Sequence, residues 1–135
     1  MVEKKDPEVL ETSDIQNASE LGIDVGATKI LIGIVNPMGE VLESQRYSMD
    51  RSSQKQVLSS IETALAHVMG TWQGPAPSAF GAGVVGQTKP ASGLWVRAMN
   101  LPILSPVPLS RLLRQSIDCP VVIDNDVHAA TLAEL

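Results

Sequence analysis

The chain has 135 residues, 44% of them hydrophobic and 3% aromatic, and a formal charge of −5. That length fits one domain or one lobe of a larger protein; the hydrophobic content excludes global disorder, and the acidity argues against a nucleic-acid surface, which carries a basic stripe. No apolar run reaches the roughly 18 to 20 residues that span a bilayer, and the lone Cys119 excludes an internal disulfide and a multi-cysteine metal site within this stretch.

Residues 1–19 lack periodicity and are acidic and polar, with Glu3, Asp6, Glu8, Glu11 and Asp14. They read as a flexible acidic tail, not as a signal peptide, which needs an apolar stretch behind a basic one. With a free thiol, the expectation is a cytoplasmic protein. Leu21, Ile23 and Val25 then alternate with Gly22, Asp24 and Gly26, the pattern of a strand. Asp24 thus shares its face with glycines, where another group can approach the backbone. Ile30 to Val35 is nearly continuous in apolar residues and predicts a strand buried on both faces. Asn36-Pro37-Met38-Gly39 is a turn signal, and Glu40 to Ser48 reads as a third strand, so two successive hairpins are implied.

Residues 54–69 place Val57, Leu58, Ile61, Ala64, Leu65, Val68 and Met69 on one face of an amphipathic helix, with Gly70 as its stop. After a loop at Gly74-Pro75-Ala76-Pro77, Ala79 to Val85 reads as a glycine-rich strand, Gly86 to Gly93 as a loop and Leu94 to Ala98 as a short strand. Pro102, Pro106 and Pro108 mark an irregular stretch. Leu109 to Ile117 predicts a short helix, Val121 to Ile123 a buried strand, and Asp126 to Leu135 the opening of a helix rich in Ala and Leu, within which the sequence stops. Three hairpin strands followed by two strands reached through helical crossovers make an α/β fold. Its centre is a five-stranded mixed sheet, three strands antiparallel and two parallel, flanked by helices.

Two acidic turns carry the chemistry. In Asp24-Val25-Gly26-Ala27-Thr28-Lys29, Gly26 permits a tight turn with its amide exposed, Thr28 adds a hydroxyl, and Asp24 can hold Mg²⁺ against phosphates, directly or through water. The bland alternative is a hairpin turn with a surface Asp. It is not a Walker loop: Gly-x4-Gly-Lys-Ser/Thr is absent, as is the Gly-x-Gly-x-x-Gly dinucleotide fingerprint. In Asp124-Asn125-Asp126-Val127-His128, an apolar strand runs into polar groups before a helix. Helix capping explains this locally. The functional reading makes Asp126 a general base aimed at a substrate hydroxyl and Asn125 a hydrogen-bonding neighbour for a polyol. Ligands also favour the C-terminal edge of strands in open α/β sheets. Asn100, between Met99 and Leu101-Pro102, is either an ordinary loop Asn or an amide that reads sugar hydroxyls. His67, off the apolar stripe of its helix, reads as a surface residue. His128 lies closer to the polar cluster. Lys29 and Lys89 are solvated by default, and Trp95 reads as packing.

Together these segments resemble the ROK family (repressors, open reading frames and kinases) of the hexokinase-like, actin-like ATPase superfamily. The resemblance covers most of residues 20–135: Leu21-Gly22-Ile23-Asp24-Val25-Gly26-Ala27-Thr28-Lys29, Gly81-Ala82-Gly83-Val84-Val85-Gly86-Gln87, Asn100-Leu101-Pro102, Pro108-Leu109, and Pro120-Val121-Val122-Ile123-Asp124-Asn125-Asp126 with Ala129-Ala130. It implies the N-terminal, ribonuclease-H-like lobe of a glucokinase-like sugar kinase that transfers phosphate from ATP, with Mg²⁺, to a hexose hydroxyl. By resemblance Asp24, Gly26 and Thr28 belong to the first phosphate motif, Asp126 to the catalytic base, and Asn100 and Asn125 to the sugar site. Val85 and Gln87 stand where many members have prolines, and His128 where many have Asn.

The resemblance also implies a second lobe with the other phosphate motif, the adenosine site, a Glu and a His for the sugar, and a zinc-binding Cys/His cluster. None of these is within residues 1–135, so no turnover is expected from these residues alone. A sugar-sensing ROK regulator is the alternative. It needs a helix-turn-helix ahead of the lobe, and residues 1–20 show neither a helical pattern nor a basic patch. A non-catalytic lobe that packs against a partner is the third reading. Which sugar is used stays open, as does a homo-oligomer of the complete protein.

Overall fold

A computed structural model of the chain describes residues 19–103 and 105–125, the side chain of Asn125 excepted. The expected tail over residues 1–19, Ser19 excepted, and the expected helix over 126–135 lie outside the described residues. The elements are β1 (Glu20–Val25), β2 (Lys29–Val35), β3 (Val41–Ser48), α1 (Gln54–Thr71), β4 (Ala79–Val84), β5 (Gln87–Lys89), a 3₁₀ turn (Pro90–Ser92), β6 (Leu94–Arg97), α2 (Leu109–Ser116) and β7 (Val121–Asn125).

The main sheet has the order β3-β2-β1-β4-β7. β1–β2 and β2–β3 are antiparallel, as two hairpins demand, while β1–β4 and β4–β7 are parallel. This is the mixed five-stranded sheet that the element order predicts. The stretch from Gly86 to Gly93 differs from its expected loop. It holds β5 and the 3₁₀ turn, and β5 pairs with β6 as a separate two-stranded ribbon. Gln87-Thr88-Lys89 has no apolar alternation to betray a strand. Tertiary contacts impose one: Trp95 is fully buried beneath the ribbon, its indole Nε1 donates to the Val85 carbonyl at 2.9 Å, and its backbone exchanges hydrogen bonds with Val107 at 2.8 Å.

Among the described residues the core is mainly aliphatic, with Phe80 and Trp95 added, and lies on one face of the sheet. Leu21, Ile23 and Val25 are buried while their alternating neighbours are not. β2 corrects its expectation: Ile30, Ile32 and Ile34 are fully buried, but Leu31 is 37% exposed, so among the described residues the strand is covered on one side. Both helices pack on that same side, α1 through Val57, Ile61, Ala64, Leu65 and Val68, and α2 through Leu109 and Leu113.

α1 begins where Ser53, in extended conformation, accepts the Gln56 N–H on its hydroxyl at 3.1 Å, which satisfies one orphan donor of the first turn. It runs past Gly70, the expected stop, to Thr71. The end is set instead by Trp72, whose backbone N–H donates to Val68 and whose indole Nε1 donates to the Pro75 carbonyl at 2.8 Å. His67 is exposed as expected, but it has a partner: its Nδ1 lies 2.7 Å from the Tyr47 hydroxyl and joins α1 to β3. Ser19 is buried, and its carbonyl accepts both the N–H and the hydroxyl of Ser78, which ties the start of β1 to the start of β4.

Candidate functional site

Strand register brings the two acidic turns together. Asp24 on β1 pairs with Gly83 on β4, and Gly83 pairs with Asp124 on β7. The three residues form one row, so both carboxylates stand on the same face with a glycine between them. Two strand spacings separate their backbones, about 10 Å. One row further along, Val25, Val84 and Asn125 are in register at the C-terminal edge of the three parallel strands. Residues distant in the chain thus meet at one sheet edge.

The turn between β1 and β2 spans Gly26 to Thr28. Its geometry corrects one expectation: the Gly26 amide donates to the Lys29 carbonyl at 2.9 Å and closes the hairpin. A Cβ at Gly26 would come within 3.1 Å of that same oxygen, which is why this close turn takes glycine. The Thr28 carbonyl accepts the Met49 N–H at 3.0 Å, so the turn is tied to the end of β3. Thr28 itself is exposed.

Beside the edge lies an open cleft of about 420 Å³, lined by Gly86, Gln87, Thr88, Lys89, Pro90, Val96 and Asp124. Its outer wall is the β5–β6 ribbon. Gly86 joins that ribbon to β4 at φ +96°, and a side chain there would run into the Arg97 carbonyl and the Ala98 Cα. Gly93 turns the ribbon at φ +69°, held by its N–H to the Pro90 carbonyl at 3.1 Å and by Ser110 N–H on its own carbonyl at 3.2 Å. The cleft wall is therefore fixed by backbone bonds and by Trp95.

Of the residues singled out in sequence, Asp24, Gly26, Thr28 and Asn125 gather at the strand edge. Asn100 is exposed in the turn Met99–Pro102 that follows β6, outside the lining of the cleft. Asp126 and His128 lie outside the described residues. The sequence marked Asp124 in the second acidic turn, Gln87 as a departure from the family pattern and Lys89 as a solvated lysine, but gave none of them, nor Thr88, a place in the cleft that they line. The signal for Asp124 was available, since it shares the open face of the strand with Val122 while Val121 and Ile123 are buried. Cys119 takes no part: burial, then the Asp118 carboxylate, pushes its thiol up and away from thiolate chemistry.

The donor set bears on which metal the edge could take. Among the described residues no three His, Cys, Asp or Glu side chains cluster, so nothing there forms an all-protein cage. A hard oxygen from Asp24 at an exposed edge matches Mg²⁺, which keeps most of its waters and takes one or two carboxylates plus phosphate oxygens.

The sequence model of the ROK family matches residues 20–135. A ROK family glucokinase from Streptomyces griseus, solved with glucose and AMPPNP, is 25% identical with a TM-score of 0.72 over 84% of this chain and 35% of its own. An inorganic polyphosphate/ATP-glucomannokinase from Arthrobacter sp. strain KM is 29% identical with a TM-score of 0.68 over 87% of this chain and 48% of its own. A ROK family transcriptional regulator, a homolog of the E. coli MLC protein, shares the fold with a TM-score of 0.81 at 19% identity, over 89% of this chain and 31% of its own. The chain thus spans less than half the length of each of these solved structures. Comparison with curated proteins gives no match. Among the described residues no helix is long and apolar enough to cross a membrane.

Proposed function

The chain belongs to the ROK family over residues 20–135, and from that premise we propose that it is the N-terminal lobe of a glucokinase-like, ATP-dependent hexose kinase of the cytoplasm. The observation that carries this reading is the shared register of Asp24, Gly83 and Asp124 at the C-terminal strand edge, one row before Asn125. Phosphoryl transfer to a hydroxyl needs a phosphate-and-metal corner next to a base; the edge sets Asp24 two strand spacings from Asp124, which stands two residues before Asp126 in the sequence. Kinase relatives at 25% and 29% identity, one solved with glucose and AMPPNP, support the same reading.

In the proposed reaction Asp126 accepts the proton of the attacking sugar hydroxyl, the hydroxyl oxygen bonds to the γ-phosphorus, and ADP leaves with the electrons of the broken P–O bond. Asn125 and Asn100 hold the sugar, and the turn from Gly26 to Thr28 faces the phosphates through the Thr28 hydroxyl. Mg²⁺ would be held by Asp24, directly or through water, and would neutralise charge on the phosphate oxygens. The low barrier to error in placing the hydroxyl makes the fixed cleft wall useful, because small misplacements are expensive in rate.

Asp126→Asn tests the reading in the complete protein. It removes the base and keeps the hydrogen-bonding shape, so sugar binding should persist while kcat falls by about 10²- to 10⁴-fold. Binding by calorimetry with activity retained within tenfold would remove Asp126 from its role. Residues 1–135 alone should show no turnover, since the adenosine site belongs to the second lobe that the resemblance implies. A sugar-sensing regulator is the second reading, favoured by the fold shared with the ROK regulator. It predicts sugar binding with no ATP consumption in the complete protein.

A further inference from the structure

Asn100 sits near the start of the segment that leads from β6 to α2. Leu101, Ile103 and Val107 in that segment are buried and pin it to the core. Trp95 and Val107 exchange backbone bonds at 2.8 Å, and the Ile103 N–H donates to the Leu101 carbonyl at 2.8 Å. Met99 is 95% exposed, and Asn100 beside it is exposed as well. Asn100 stands outside the lining of the cleft. Its reach toward a ligand there therefore depends on how the segment is held.

One side chain reaches the segment from the far side of the chain. Gln54, the first residue of α1, accepts the Ser105 N–H on its Oε1 at 3.2 Å and donates from its Nε2 to the Ser105 Oγ at 3.2 Å. Backbone and side chain of an exposed residue 51 positions away are thus gripped together. The helix does not need this grip, because Ser53 already caps it through the Gln56 N–H. Attachment to the core does not need it either, since the three apolar anchors supply that.

Gln54 is itself held firmly. It ends the connector between β3 and α1, and bonds run along that connector. The Met49 N–H donates to the Thr28 carbonyl at 3.0 Å. The Asp50 N–H donates to the Ser60 Oγ at 3.0 Å, and Ser60 donates to the Gln56 carbonyl at 2.9 Å. The Asp50 carboxylate accepts the Ser52 N–H at 3.0 Å and the Ser52 hydroxyl at 2.6 Å. A brace thus leads from the Gly26–Thr28 turn, through residues 49–54, to the segment that carries Asn100.

We propose that Gln54 is a positioning residue, which sets the Asn100 segment at a fixed place relative to the Gly26–Thr28 turn. This rests on the reading of Asn100 as a sugar contact and of Thr28 as a phosphate contact. Two neutral hydrogen bonds near the surface add little to stability. Their value is geometric, because a small misplacement of the sugar is expensive.

Gln54→Ala and Gln54→Glu in the complete protein test it, with glucose as the probe. Gln54→Ala should speed amide hydrogen exchange around Ser105 and Asn100 while Tm stays within about 2 °C. It should raise the glucose KM about tenfold, with a smaller change in kcat. A glutamate carboxylate can accept both the Ser105 N–H and the Ser105 hydroxyl, so Gln54→Glu should return exchange and KM close to wild type. Unchanged exchange in Gln54→Ala overturns the proposal. So does faster exchange with an unchanged KM, which would make the grip merely structural, and so does failure of Gln54→Glu to rescue. A wild-type protein that consumes no ATP sinks the kinase reading instead. Glucose affinity by calorimetry then replaces KM, and if glucose does not bind, the exchange comparison decides.

Discussion

Single residues at the strand edge divide by how they could be seen. Asp24 announced itself because it interrupts an apolar alternation beside glycines, and the structure places it at the exposed end of β1. Gly26 was legible as a tight turn, but its amide is used by Lys29, so phosphate contact passes to Thr28 in the proposed site. Asp124 was read as a cap because helix-capping chemistry and site chemistry use the same residue types; only register across β4 shows that it shares a row with Asp24. Asp24→Ala in the complete protein should raise the Mg²⁺ and ATP concentrations needed for half-maximal rate with little change in sugar affinity. Unchanged Mg²⁺ dependence in a steady-state titration would take Asp24 out of the site.

At the scale of elements, periodicity found α1 because its apolar stripe is long and its partner is the main sheet. Its end was misplaced at Gly70, since glycine is tolerated inside a helix and the stop comes from Trp72 reaching Pro75. β5 was invisible because a three-residue strand of Gln, Thr and Lys is held by its partner β6 and by buried Trp95, not by its own pattern. The ribbon gives a sharp test of the cleft wall. Gly86→Ala forces a side chain onto a left-handed backbone and against the Arg97 carbonyl. It should destabilise by about 2 kcal/mol or more and weaken sugar binding in the complete protein, measured by denaturant unfolding and calorimetry. Full stability and affinity would show that the ribbon does not shape the cleft.

For the molecule as a whole, the energetics follow from the core that the described residues build between the sheet and its helices. Ile32 is fully buried on the central hairpin strand, whereas Ser44 is exposed on the edge hairpin. Ile32→Ala should cost about 2–5 kcal/mol through lost burial and a cavity, and Ser44→Ala about 0.5 kcal/mol or less, by urea unfolding. Equal losses would contradict the placement of the core. The sequence by itself determined the fold class, the two hairpins, both described helices and the presence of two acidic segments, one in a tight turn and one at a strand end. These are local matters, set by apolar period, turn residues and motif order. Tertiary structure alone decided the strand order that sets β1 beside β4 and β4 beside β7, the ribbon that walls the cleft, and which sheet face the helices cover. Each of these depends on residues far apart in sequence meeting at one register, and no local pattern encodes that distance.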